Sequence, residues 1–258
     1  MGTSALTVLG GSSGEQQKDN LCGPFWAARV LNESGFSTWD GRPIDADLIA
    51  LRARTVLPEP HPGSDVPTGA VSLTNYQYEL PTAPVEQSGT SAQRLAQAIE
   101  AASSGELRSV SLRGEWNDER VERLVEEANE MGVRLIANVR TGRFWGSRPS
   151  IDVLLSELDG QPVQAPGADW DVGHFVELEM LIRGPKGSLV VVHDSYPSLG
   201  WGGRHLQPPR AVAEALLRGD GREGGVLAIA TKAQEESVKA LAAGIGLEIG
   251  AWDNGTRS

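Results

Sequence analysis

Two apolar runs flanking a Gly/Pro turn constrain this 258-residue chain more than any other feature. The first is Val172-Gly173-His174-Phe175-Val176-Glu177-Leu178-Glu179-Met180-Leu181-Ile182. The second is Ser188-Leu189-Val190-Val191-Val192-His193-Asp194, and Arg183-Gly184-Pro185-Lys186-Gly187 joins them. Runs of this length and composition, split by such a turn, predict a β-hairpin. If the turn centres on Gly184, His174 lies opposite Asp194, with the strands about 4.8 Å apart and an imidazole–carboxylate hydrogen bond within reach. A turn centred between Pro185 and Lys186 moves the pair about three residues out of register, roughly 10 Å along the strand. Both registers are compatible with the sequence.

Upstream, periodicity predicts a helix from Cys22 to about Glu33, with Phe25, Ala28, Val30 and Leu31 largely buried, Pro24 in its first turn and Gly35 as the stop. A second helix is expected within residues 40–55. Residues 57–90 are rich in proline and glycine and predict a long irregular segment of the kind that lines a site, which makes Tyr76 a candidate substrate contact. Ser91 to Ala102 reads as a helix with Leu95 and Ile99 on one stripe, and Arg108 to Leu112 as a strand. Asn117 or Asp118 caps a helix carrying Val121, Leu124, Val125 and Ala128, and Val133 to Val139 is a strand; the succession suits a parallel pairing of the two strands. Helices are also expected at 150–158 and 210–217, a strand at 226–230, and a capping box of Thr231 and Gln234 opening a helix to Ala242. The whole reads as one α+β domain over residues 15–252, with a flexible tail at 1–14 and a frayed end at 253–258.

The formal charge of −11 and the lack of basic clusters with interleaved aromatics exclude nucleic acid as an expected partner. No stretch is long enough to span a bilayer and the first residues make no signal peptide, so the expected place is the cytoplasm, away from membranes. Cys22 is the lone cysteine, so no internal disulfide exists. A free cysteine commonly serves as a small buried hydrophobe. At a helix start it is also where a thiolate is stabilised, since the helix dipole favours negative charge there. His174 sits at the open end of an apolar strand face, where an active-site base would be placed, although histidines at strand starts commonly have structural roles. Asp194 alone could open a turn with Ser195 and Tyr196. His193 neighbours Asp194, but adjacent strand residues point to opposite faces, so only one of them can face Cys22. His61 and His205 fall in loop-like sequence, and four scattered histidines with one cysteine make no zinc spacing, so neither metal nor cofactor is expected. Gly10-Gly11 and Gly202-Gly203 lack the context of phosphate loops.

A glutamine, a six-residue step to Cys22-Gly23, a helix, then His174-Phe175-Val176 opening a strand and Asp194 one hairpin later resembles the papain-like cysteine peptidases. In motif order it is most similar to the bacteriocin-leader-processing type called peptidase C39, and phytochelatin synthases share the plan. The similar stretches are residues 16–31 and 170–202. The resemblance implies an α+β papain-like fold, in which an N-terminal helix carrying the cysteine packs against a mostly antiparallel sheet carrying histidine and aspartate. It implies Cys22 as nucleophile, His174 as base, Asp194 as the residue that orients it, and a glutamine as oxyanion donor; spacing favours Gln16, with Gln17 one residue closer as the alternative. It also implies an aromatic shield after the aspartate, for which Trp201 is the candidate, and Gly173 beside the base as a substrate contact.

The chemistry expected of that set is attack of the thiolate on a peptide or small-molecule acyl substrate through a thioester. The expected enzyme is a selective cysteine peptidase or amidohydrolase. An acyltransferase or amide synthase of peptide or natural-product biosynthesis would use the same residues, and a non-catalytic binding module could keep the fold alone. The C39 peptidases are usually fused to transporters and cut after paired glycines; with no membrane part in this chain, that substrate is not carried over.

Overall fold

Alternation of side chains along the central strands explains the architecture. In the computed structural model, which describes residues 14–59 and 66–256, Leu135, Ala137 and Val139 face one side of a sheet while Ile136 faces the other, and Val226, Ala228 and Ala230 oppose Leu227 and Ile229 in the same way. A strand buried on both faces needs cover on both, and helices supply it. The α-helices among the described residues are α1 (Cys22–Glu33), α2 (Ala46–Arg52), α3 (Ala92–Ala102), α4 (Asp118–Glu130), α5 (Ile151–Leu158), α6 (Pro209–Leu217) and α7 (Glu235–Gly244). The sheet contains β1 (Leu107–Arg113), β2 (Arg134–Arg140), β3 (Gly173–Arg183), β4 (Ser188–His193), β5 (Arg204–Gln207), β6 (Gly225–Thr231) and β7 (Glu248–Ile249). Its order is β7-β1-β6-β2-β3-β4-β5, and every neighbouring pair is antiparallel. Helices α4, α6 and α7 pack on one face; α1, α2 and α3 pack on the other, around Trp26, Leu48, Leu95 and Ile99. The chain is therefore α+β. No helix among the described residues is long and apolar enough to cross a membrane.

Local signals account for the helix boundaries. The side chains of Asp45, Ser91, Asn117 and Ser150 each accept a hydrogen bond from the backbone N–H three residues on, satisfying a donor that a helix start leaves free. Thr231 and Gln234 form the expected capping box, ahead of a short 3-10 turn and α7. The second helix is shorter than its 40–55 window, because Thr38–Trp39 and Arg42–Pro43 pair as a tight hairpin before Asp45. The irregular segment gains one parallel ladder, Leu57–Pro58 against Thr82–Ala83. His61 and the residues of the expected N-terminal tail up to 13 lie outside the described residues, as do 257 and 258.

Two long-range expectations need correction. The strands on either side of α4 are not neighbours, because β6, arriving from almost 90 residues further on, inserts between β1 and β2 antiparallel to both. The hairpin turn centres between Pro185 and Lys186, so Arg183 pairs with Ser188 and Leu181 with Val190. The ladder then shifts by one residue at a bulge, where Glu179 is the extra residue, and continues as Leu178 opposite Val192 and Glu177 opposite His193. Asp194, one step beyond β4, projects to a position opposite Val176, diagonal to His174 on the same side of the hairpin. Diagonal neighbours of this kind lie about 7–8 Å apart at the backbone, within reach of long side chains.

Candidate active site

The segment leading into α1 is extended, and its alternation sorts the two glutamines. Gln17 and Asp19 are buried, whereas Gln16 and Lys18 are partly exposed. Asp19 N–H donates to the Leu73 carbonyl, its carboxylate accepts from Leu73 N–H and Ser72, and the Tyr76 hydroxyl donates to its carbonyl at 3.0 Å. Lys18 Nζ reaches Asp47 and the Asn75 carbonyl, each at 2.7 Å. Residues 71–77 thus strap the approach to Cys22 in place. Asn20 then turns the chain at φ 62°, a conformation asparagine tolerates better than most residues. Helix α1 begins at Cys22, with Pro24 in its first turn.

Trp26 is fully buried one turn later and donates from Nε1 to the Phe175 carbonyl at 3.1 Å. This bond fixes the start of α1 against the start of β3. Gly23 serves the same approach, since a Cβ there would meet Leu95 and Phe175 side chains at 3.1 and 3.2 Å. His174, second in β3, consequently stands beside Cys22 in one cleft, where the two side chains act on each other's charge. Its Nε2 lies 3.2 Å from Asp194 Oδ1, which leaves Nδ1 for the thiol. Asp194 Oδ1 also accepts the Tyr196 N–H at 2.9 Å, so the carboxylate both opens the turn and orients the imidazole.

Electrostatics follow from this line of groups. Burial pushes the Cys22 thiol up, but the facing His174, with the Phe175 and Gly23 backbone, brings it below its ordinary value. Burial pushes His174 down, yet the Asp194 and Cys22 charges raise it to about 10. Burial disfavours the charged form of Asp194, and the His174 imidazolium more than offsets this, lowering its carboxyl. Each group thus favours the charged form of the other, a thiolate facing an imidazolium.

A cleft of about 430 Å³ opens on Cys22 and His174, and Gln17, Gly173, Trp170 and Tyr196 contribute to its wall. Of the two candidate glutamines, the one at the cleft is Gln17. Its Nε2 donates to the Tyr196 hydroxyl at 3.1 Å and its Oε1 accepts from Ser195 Oγ at 2.5 Å. An amide nitrogen has two protons, so one remains for the cleft. Gln16 instead bonds the Val71 backbone on the exposed side. Gln17 stands five residues before Cys22, and the left-handed Asn20 lies between them.

Gly173 lines the cleft as expected; Trp201 and Tyr76 do not. Trp201 packs with Leu154, Leu189, Val191 and Leu206, and Tyr76 packs near Leu21 and Leu80. The aromatic groups around the imidazole are Trp170, with its ring centre 5.0 Å from that of His174, and Tyr196, near-parallel to it at 6.0 Å. Trp170 was missed, although a tryptophan in the polar Gly/Pro stretch just before the histidine strand was a readable signal.

The other histidines are elsewhere. His205 lies in β5, not in a loop; it is buried against Phe144, with Gln207 Nε2 at 2.9 Å from its Nδ1. Burial lowers it to about 4. His193 points away from Asp194, toward Trp26, and meets Glu179 at 2.8 Å. Glu177, Glu179 and His193 could by distance share an ion. Their carboxylates are already engaged, Glu177 by Arg134 and Glu179 by Arg204 at 2.7 Å, so the donor set is that of a buried ion-pair network.

A family model of unknown function, DUF6885, matches residues 11–253. The chain belongs to this DUF6885 family. No curated protein and no solved structure matches it.

Proposed function

We propose that this DUF6885 protein is a cysteine-nucleophile acyl-transfer enzyme of papain-like, C39-like type, acting as a selective peptidase or amidohydrolase. The observation that carries this reading is the relay of Cys22 with the buried His174 and Asp194, the carboxylate 3.2 Å from the imidazole and the thiol end open to a cleft. A structural cysteine would not need a charged partner, and a structural histidine would not need both.

In the proposed reaction the Cys22 thiolate attacks the acyl carbon, forming a C–S bond and moving the carbonyl electron pair onto oxygen. The second Gln17 Nε2 proton and the Cys22 backbone N–H supply donors for that oxyanion, a contribution of about 3–4 kcal/mol per donor in comparable sites. As the intermediate collapses, the C–N bond breaks and the His174 imidazolium gives its proton to the departing amine. The thioester is resolved when neutral His174 takes a proton from an incoming water. Attack of the hydroxyl forms the acid and breaks the C–S bond, releasing the Cys22 thiolate, and the proton stays on His174 to restore the ion pair. Asp194 keeps the imidazole in one tautomer throughout, and Trp170 and Tyr196 limit water around that hydrogen bond.

The test is mass spectrometry of the intact protein after incubation with activated acyl esters and peptide amides. A single acyl adduct on Cys22 that hydroxylamine removes, absent in Cys22→Ala and decaying to free acid, is expected. If added amines divert all the acyl group to amide, the transferase reading replaces hydrolysis. If no adduct forms with any ester, the acyl-enzyme reading fails.

A further inference from the structure

Among the charged side chains of the cleft wall, Arg140, Asp171 and Asp220 stand in ion pairs, whereas Glu86 and Arg222 stand in none among the described residues. Arg140 holds Asp171 at 2.6 Å and lies 3.7 Å from Asp220, and Asp220 is gripped by both Nε and an Nη of the buried Arg218, at 3.1 and 2.8 Å. These two cations and two carboxylates cancel. The Arg218 guanidinium lowers the Asp220 carboxyl to about 2, so that group stays ionised at any working pH.

Arg222, in the same cleft wall as Cys22, has no carboxylate within ion-pair distance among the described residues. Its guanidinium is held in place without being neutralised. One Nη donates to the Glu86 carbonyl at 2.6 Å, and its own backbone N–H donates to Asp220 at 3.3 Å. The C-terminal stretch closes over the same group; a Cβ at Gly255 would stand 2.5 Å from Arg222 Nε, and Gly255 has φ +81°. A half-buried arginine fixed by neutral backbone has donors in a rigid fork suited to a carboxylate. In a chain of net charge −11, general electrostatics would repel an anionic substrate, so a local cation is what such a substrate requires.

We infer that Arg222 is a specificity residue that binds a carboxylate of the acyl substrate, such as a peptide C-terminus or an acidic side chain close to the bond that reacts. The inference rests on the acyl-transfer reading of Cys22 for what the carboxylate is attached to, and on the cleft geometry for the carboxylate itself.

The test uses thiol-alkylating probes of graded length: N-iodoacetyl derivatives of glycine, β-alanine and 4-aminobutyrate, each as the free acid and as its primary amide. Cys22 is the lone thiol, so every adduct reports on this cleft. The readout is the acid-to-amide ratio of second-order rate constants, referred to the ratio for N-acetylcysteine. At one length the ratio should exceed the reference by about tenfold, the value of one charged hydrogen bond. Arg222→Gln should return it to the reference, and Arg222→Lys, which keeps a point charge without the fork, should fall between. A ratio no higher than the reference at all lengths, or one unchanged in Arg222→Gln, overturns the inference. Failure of the nucleophile reading shows separately, as equal amide-probe rates in the unaltered protein and His174→Ala, while the ratio still decides on Arg222.

Discussion

Replacing Gln17 by alanine separates two reactions of the same thiol. Alkylation by iodoacetamide is displacement at a saturated carbon and develops no oxyanion. Acylation by p-nitrophenyl acetate passes through a tetrahedral oxyanion. Removal of one oxyanion donor costs about 10²–10³ in rate, so Gln17→Ala should lose about that much in acylation and little in alkylation. The substitution has a stability cost as well. Gln17 is 2% exposed, and its loss unpairs the buried Ser195 and Tyr196 hydroxyls, a cost of about 1–3 kcal/mol. For a chain this size that lowers Tm by roughly 2–4 °C per kcal/mol. Gln16→Ala removes only an exposed contact with Val71 and should stay within about 0.5 kcal/mol, with both reactions intact. Stopped-flow nitrophenolate release, intact-mass alkylation and thermal melts on the two variants give the full comparison. Equal loss of both reactions in Gln17→Ala would refute the oxyanion assignment, and so would selective loss of acylation in Gln16→Ala.

Two further outcomes follow from the charges. The thiolate–imidazolium pair holds between the lowered pKa of Cys22 and the value of about 10 for His174, so iodoacetamide labelling should remain fast below the ordinary thiol range. In His174→Ala burial remains without its counterweight, and labelling at pH 6 should fall to that of a thiol about 0.3% ionised or less; superimposable pH profiles would contradict the pair. On the other face of the sheet, Arg134→Met leaves the fully buried Glu177 carboxylate without its arginine and should destabilise by about 3–5 kcal/mol in urea unfolding. The double variant Arg134→Met, Glu177→Gln should recover most of that loss, and no recovery would assign it to packing.

Signals carried within a few residues were legible in the sequence. The helix starts at Ser91 and Ser150, the cap at Asn117 and the span of α1 need only a polar residue or a proline at the right step before an apolar stripe. The cysteine, histidine and aspartate were legible for another reason: each stands at the end of a regular element, and ends of elements meet at one edge of a sheet. The insertion of β6 between β1 and β2 was not legible, because a pairing across almost 90 residues leaves no local trace. The choice between Gln16 and Gln17 turned on which of two adjacent residues faces inward, and the aromatic neighbour of His174 came from the loop before the hairpin, where no periodicity fixes a side chain's direction.

The hairpin shows most clearly how the site depends on a feature that composition hides. With the turn between Pro185 and Lys186 and a regular ladder, Asp194 would project opposite Glu177 and share its face, away from His174. The extra residue at Glu179 reverses that parity, because side chains alternate with a period of two. Glu179 is held in the bulge by His193 at 2.8 Å and by a bidentate pair with Arg204, contacts that lower its carboxyl to about 2 against the opposing effect of burial. Those partners belong to β4 and β5, so the ion-pair network on one face fixes the backbone step that puts Asp194 beside His174 on the other. The buried charges and the proposed catalytic relay are two faces of a single irregularity. On this account the carboxylates nearest His193 serve the site by setting register and never contact the substrate.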